Sequence, residues 1–273
     1  TPSSSVVEVL HAPDAEVRQR RAAAALLAQG CRRGDRVVFA LGSSADLICA
    51  VLGAARVGLI PVLLNATLTS AERDALADDA QPTVCIFDTP SLAALTADDA
   101  EAQAHAVELA PYPLTRPMHY TSGTTGRPKG VTTGLWDEAT AELVYKDEAE
   151  IWQFDQSDLH MVCSPMYHTV SIRFSTTTLL AGGSLAILRR FDAGTALDTL
   201  RRLRPTTTFL VPTHLQRLLQ HPDLGDDERF DSLRLLVHAG APCPESLKRA
   251  TMARARPGVV WEFYGSTEAQ YTV

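Results

Sequence analysis

Tyr120-Thr-Ser-Gly-Thr-Thr-Gly-Arg-Pro-Lys-Gly130 packs three glycines, four serine or threonine hydroxyls and two cations into eleven positions. The preceding Pro117-Met-His-Tyr120 reads as a short strand entering this loop. Glycines let the backbone turn so that successive N–H groups converge on one anion. Thr121, Ser122, Thr124 and Thr125 add hydroxyl donors, and Lys129 adds a compact, mobile positive charge suited to phosphate. The stretch reads as a cradle for a polyphosphate. It differs from the loop with four residues between its glycines and a following Gly-Lys-Ser/Thr. Here Gly123 and Gly126 stand two residues apart, and Arg127-Pro128 precedes the lysine. A flexible Gly/Thr surface loop is the plain alternative, but glycine, hydroxyl and cation placement agree with one another on phosphate.

Outward from this loop, short apolar runs alternate with helical patterns. Strands are predicted over 36–41, 60–64, 83–88, 160–164, 184–190, 206–211, 233–237 and 259–263, and helices over 16–29, 44–57 and 70–79. That alternation predicts an α/β fold of parallel or mixed sheets flanked by helices. The segment 91–113 is rich in Ala and Asp/Glu, poor in large apolar residues, and reads as a linker. It divides a first α/β lobe, 1–112, from a second, 113–273, that opens with the phosphate loop.

Composition excludes several classes. The 273 residues are 45% hydrophobic and 21% charged, ordinary for a globular protein, and the net charge of −7 argues against general nucleic-acid binding. The longest apolar candidate, 47–64, is interrupted by Arg56 and Pro61, too short for a membrane span. Five scattered cysteines without a Cys-x-x-Cys pair suggest neither zinc site nor disulfide framework, and fit a reducing cytoplasm. Oligomeric state leaves no trace in the sequence.

The loop resembles the signature loop of the adenylate-forming enzymes, which include acyl-CoA ligases, adenylation domains of peptide synthetases and beetle luciferases. Other segments are similar to that family's elements in the same order: Asn65-Ala-Thr-Leu-Thr69 (Ala66 replacing the usual proline), Pro165-Met-Tyr-His168, Ala239-Gly-Ala-Pro242 and Tyr264-Gly-Ser-Thr-Glu268. The resemblance spans about Val37 to Glu268 and implies the layered, two-lobe large N-terminal domain of these enzymes. Their first reaction is attack of a carboxylate oxygen on the α-phosphate of ATP, expelling pyrophosphate. The substrate brings its own nucleophile, so the protein supplies positioning and charge stabilisation.

On this resemblance Thr121, Ser122, Gly123, Thr124, Thr125, Gly126 and Lys129 hold the β- and γ-phosphates. Tyr264 stacks on adenine beside Gly265 and Ser266, Thr267 donates to the α-phosphate, and Glu268 with Thr124 holds Mg²⁺, a hard cation suited to oxygen ligands. Gly240, Ala241 and Pro242 let adenine and the acyl group approach the backbone, with Val237, Tyr167, His168 and Gly265 against the acyl group. His168 stands at the wall between the acyl site and a thiol tunnel. Arg190 and Phe191 lie toward CoA, where a cation and a ring can meet phosphate and adenine. Lys129, His168, Thr267 and Glu268 form the expected catalytic set.

Amino-acid-activating members carry a Phe-Asp-x-Ser element, whereas Pro165–Ile172 contains no acid. An uncharged fatty or aryl acid is therefore expected, with CoA as acceptor, or a carrier protein in its place. A non-catalytic nucleotide-binding module is the reading from another class. The resemblance also implies a later Thr-Gly-Asp, a hinge and a mobile C-terminal domain with an assisting lysine. None is found here, so the 273 residues are expected to be the front portion of such an enzyme, with little activity alone.

Overall fold

The computed structural model describes residues 7–97, 107–121 and 128–267. In chain order they form β1 (Val7–His11), α1 (Ala12–Ala28), β2 (Arg36–Phe39), α2 (Ala45–Arg56), β3 (Ile60–Leu63), α3 (Ser70–Ala80), β4 (Val84–Ile86), α4 (Thr89–Thr96), β5 (Met118–Thr121) and β6 (Lys129–Val131). Then come α5 (Glu138–Trp152), β7 (Leu159–Val162), α6 (Thr169–Leu180), β8 (Ser184–Leu188), α7 (Ala193–Arg202), β9 (Thr207–Leu210), α8 (Pro212–Leu219), β10 (Leu235–His238), α9 (Glu245–Arg254) and β11 (Val260–Glu262).

Two sheets result among the described residues, in spatial order β4-β2-β3-β5-β6 and β1-β8-β7-β9-β10-β11. Pairing is parallel except at β1 with β8 and at β5 with β6. The expected α/β class of mixed and parallel sheets flanked by helices is the observed one. Sheet membership does not follow a break at 112, however. β5 and β6, the strands on either side of residues 122–127, complete the first sheet, with Val62 opposite Met118. β1 crosses to the edge of the second sheet, with Val7 opposite Leu188. The described start of the segment 91–113 belongs to a helix, α4. Asp88 caps α4 by accepting from the Ser91 N–H at 2.8 Å, and Leu92 and Leu95, three residues apart, are buried against α1 and α2.

Small residues and capping explain the packing. Every residue of α2 but Asp46 is buried, and Gly53 lets α1 approach so closely that a Cβ there would lie 2.3 Å from the Gln19 carbonyl oxygen. Ser44 caps α2, accepting from the Leu47 N–H at 3.1 Å. Thr69, the last residue of the Asn65–Thr69 element, forms a capping box with Glu72 at the start of α3. α6 packs against α1 and α2 on one side and β7, β8 and β9 on the other. Its burial is compatible with a Ser/Thr-rich sequence because the hydroxyls bond back along the helix: Ser175 to the Ser171 carbonyl and Thr178 to the Phe174 carbonyl, both at 2.8 Å.

Candidate active site

In each sheet the chain turns back past a strand already laid down. β7 lies between β8 and β9, and β2 lies between β3 and β4. Crevices open beyond the carboxyl ends of such strands. The chain leaving β7 is the turn Pro165-Met-Tyr-His168, closed by the His168 N–H donating to the Pro165 carbonyl at 3.0 Å. The chain leaving β2 reaches Ser43, whose Oγ accepts the Met166 N–H at 3.1 Å. The two switch points are thus joined.

Two cavities meet here. One, of about 270 Å³, is lined by Ser164, His168, Thr169, Val170, Arg173, Phe209, Val211, Ala239, Gly240, Phe263, Gly265, Ser266 and Thr267. The other, of about 280 Å³, is lined by Asn65, His119, Tyr120, Thr121, Pro128, Tyr167, His168, Thr169 and Thr267 among others. His168, Thr169 and Thr267 belong to both, and the Thr169 and Thr267 hydroxyls are 3.3 Å apart. The first cavity is mainly apolar. Among the described residues its one charged lining group, Arg173, is neutralised by a two-pronged pairing with buried Glu148 at 3.0–3.2 Å. The second cavity reaches the root of the phosphate loop. α6 begins at the junction, and its cap His168 makes no side-chain cap bond, so first-turn N–H groups add to an environment that favours an anion.

The imidazoles at this place are neutral near pH 7. Burial lowers the His119 pKa to about 4, against the raising effect of its bond to the Tyr167 carbonyl and with help from nearby His168. Burial lowers His168 as well. His214 falls to about 4 through burial, Arg217 and His168 in that order. Tyr167 and His168 rings are in contact at 4.2 Å between centroids. Lys129 stands exposed at the start of β6, directly opposite Thr121.

Of the residues expected from sequence, Thr121, Tyr167, His168 and Thr267 come together in the second cavity, and His168, Gly240, Gly265, Ser266 and Thr267 in the first. Gly240 adopts φ +86°, a left-handed conformation suited to glycine. Val237 does not reach either cavity. It is 0% exposed, packed in a core with Trp152 and Phe209. Ala241 and Pro242 face a separate groove between α8 and α9. Tyr264 is 85% exposed and lines neither cavity. Arg190 is exposed, and Phe191 stacks on His214 with centroids 3.9 Å apart. Ser122, Gly123, Thr124, Thr125, Gly126 and Glu268 lie outside the described residues. Sequence reasoning missed Thr169, Val170, Phe209, Val211 and Phe263. Phe209 belongs to β9 and Val211 follows it, so the rule that sites form beyond carboxyl ends of parallel strands could have found both.

Fold and site together define a nucleotide-binding α/β domain of the adenylate-forming kind. The chain belongs to the family of AMP-binding enzymes, whose model matches residues 14–273. It is 30% identical over 251 residues to a 4-chlorobenzoate–CoA ligase of Pseudomonas sp. (strain CBS-3), covering 84% of this chain and 47% of that protein. It is 28% identical over 256 residues to a fatty acid–[acyl-carrier-protein] ligase, ScoC of Streptomyces coeruleorubidus, covering 85% and 49%. The ATP-bound crystal structure of MatB from Rhodopseudomonas palustris superposes with a TM-score of 0.75 at 27% identity, over 94% of this chain and 55% of that one. The chain spans about half the length of the curated relatives it matches, which fits the N-terminal portion of such a protein.

Proposed function

We propose that the complete protein activates an apolar carboxylic acid, fatty or aryl, with ATP and passes the acyl group to the thiol of CoA, as an acid–thiol ligase. The observation that carries this reading is the junction of the two cavities. An apolar chamber closed by Phe209, Phe263 and Val170 opens at His168, Thr169 and Thr267 onto a second chamber that ends at Thr121 and Pro128. An acid seated in the first and a triphosphate in the second would bring a carboxylate oxygen to the α-phosphorus at the junction. The bond from that phosphorus to the bridging oxygen breaks, pyrophosphate leaves toward the Thr121–Lys129 loop, and an acyl-AMP remains. Thr267 and Thr169 hydroxyls and the N-terminus of α6 offer donors to the α-phosphate oxygens. The thiol then attacks the acyl carbonyl, AMP departs and the thiol proton is released.

Mg²⁺ would neutralise charge on the phosphates. A hydroxyl and a carboxylate, Thr124 and Glu268, are a donor set of the right hardness. The ring stack of Phe191 on His214, with Arg190 beside it in sequence, supports an approach of the CoA nucleotide from that side. No helix among the described residues is long and apolar enough to cross a membrane. The free thiols of Cys31, Cys49 and Cys163 support action in a reducing cytoplasm.

The test is pyrophosphate release from Mg²⁺-ATP with a panel of fatty, aryl and amino acids, with and without CoA, on this chain and on the complete encoded protein. Release by the complete protein with fatty or aryl acids, and consumption of the adenylate by CoA, is the expected result. Adenylate consumed only by an acyl-carrier protein would move the reading to the chemistry named for ScoC. ATP binding without release from any acid would leave a nucleotide-binding module.

A further inference from the structure

The Pro165–His168 turn belongs to the second sheet, yet two of its backbone groups are held by side chains of the first. Ser43, 4% exposed in the connection after β2, accepts the Met166 N–H. His119, 5% exposed on β5, has its Nδ1 2.8 Å from the Tyr167 carbonyl oxygen. A carbonyl can only accept, so Nδ1 carries the proton and donates. His119 is itself fixed in the sheet, opposite Leu63 on β3 and Val131 on β6. Two residues further along the same strand is Thr121, where the phosphate loop begins.

We infer that Ser43 and His119 form a two-point clamp that sets the position of His168 relative to the phosphate-binding loop. The inference rests on the acid-activating function proposed above. The two bonds grip successive residues, Met166 and Tyr167, one through its N–H and one through its C=O. With both made, the peptide planes ahead of His168 cannot rotate without breaking a buried hydrogen bond. The junction where acid and α-phosphate would meet is lined by parts of both sheets: Thr121 from the first, His168 and Thr169 from the second. Reaction needs these parts in register to a fraction of an ångström, and small misplacements are costly. Ser43 and His119 are positioning residues: they act through the turn.

The clamp requires a donor at the Nδ1 position of His119 rather than an imidazole as such. Asparagine places an amide N–H at nearly the same distance from the backbone and can replace it. Leucine removes the donor while keeping bulk. In the complete encoded protein, His119→Leu is expected to lower kcat/KM for the acid and the thiol by about 10- to 100-fold. The KM for ATP changes little, since the phosphate loop keeps its own strand pairing. His119→Asn recovers most of the loss. Ser43→Ala gives the same split between acid and ATP. The Ser43→Ala/His119→Leu double variant loses far less than the product of the two single effects, as expected for groups acting on one turn. Wild-type behaviour of His119→Leu, or a His119→Asn no better than the leucine variant, overturns the clamp. If His119→Leu does not fold, Ser43→Ala and His119→Asn carry the test. If the wild type releases no pyrophosphate with any acid, the proposed function fails separately. Histidine-selective ¹⁵N NMR then reads the clamp directly: His119 protonated on Nδ1, with His168 signals displaced in Ser43→Ala. His119 protonated on Nε2, or unmoved His168 signals, would refute it.

Discussion

Lys129 faces Thr121 across the β5–β6 hairpin, so the two ends of the phosphate loop are tied by backbone pairing before any ligand binds. Its ammonium is exposed and stands on the first residue of β6, free to swing toward an anion held between the strands. Removing such a charge from a site that stabilises a departing polyphosphate costs about 100-fold in rate. Lys129→Ala in the complete protein is accordingly expected to reduce pyrophosphate release by about that factor with the fold intact by circular dichroism. An unchanged rate would remove Lys129 from the catalytic set. At this scale a polar half of the site was expected from the sequence, because glycines, hydroxyls and cations suited to phosphate cluster within a few residues. The apolar half was not. Phe209, Val211 and Phe263 are ordinary strand residues until the sheet order places them around one chamber, and His119 reads as a strand residue until its ring is seen against the Tyr167 carbonyl. Val237 was misplaced for a related reason. Val237 and Ala239 share one core group, as residues two apart on a strand should, but Ala239 lies past the carboxyl end of β10, where the cavity opens, and Val237 lies inside the strand.

α1 and α2 are packed more tightly than any other helix pair named here, and Gly53 is what permits it. An added Cβ would meet the Gln19 carbonyl oxygen at 2.3 Å, the Gln19 carbonyl carbon at 3.1 Å and the Ala23 nitrogen at 3.3 Å. All three are backbone atoms of a helix, so no side chain can swing away. Gly53→Ala gains about 1 kcal/mol of helix propensity but forces the helices apart, and overpacking of this kind typically costs 1–3 kcal/mol. A net loss is expected because α2 is buried at every position but Asp46 and cannot shift without disturbing β3 and α6. Urea unfolding should show a lower midpoint at unchanged slope; an equal or higher midpoint would show that the helices separate without cost. The central parallel strands and the helices between them were legible because strands such as β3 and β10 are buried, largely apolar runs with a periodic neighbour. β1 and β6 were not. Both lie at sheet edges and pair antiparallel with a single neighbour, so neither needs a continuous apolar run. α4 escaped because alanine and aspartate dominate its surroundings and its buried face carries just two large apolar residues, Leu92 and Leu95, beside Thr96.

The molecule as a whole carries buried histidines in both sheets, and their protonation ties its stability to pH. His119 on β5 has its pKa lowered to about 4, and His160 on β7 has its pKa lowered to about 3, in each case chiefly by burial. Asp158 opposes the shift of His160, and the bond to Tyr167 opposes that of His119. In the unfolded chain both titrate near 6.5. Between the folded and unfolded values the unfolded state binds more protons, so stability falls as pH falls. The neutral-histidine contribution is complete above about pH 6.5. Below it each group gives up about 1.4 kcal/mol per pH unit until its folded pKa is reached. Carboxylates such as Asp192 and Glu228, held low by hydrogen bonds to Thr195 and by Arg201 respectively, add their own loss only at still lower pH. The expected result is a fall of about 2 kcal/mol per buried histidine between pH 6.5 and 5, read as the unfolding free energy in urea at each pH. His160→Leu should be less stable at pH 7, because Thr207 loses its 2.9 Å partner. Its acid limb should be shallower by one proton's worth of slope. Stability that is flat or rising from pH 7 to 5, or a His160→Leu slope equal to that of the wild type, would show that these imidazoles are hydrated in solution. The two sheets would then be less closely joined around His119 than the clamp at Met166 and Tyr167 requires.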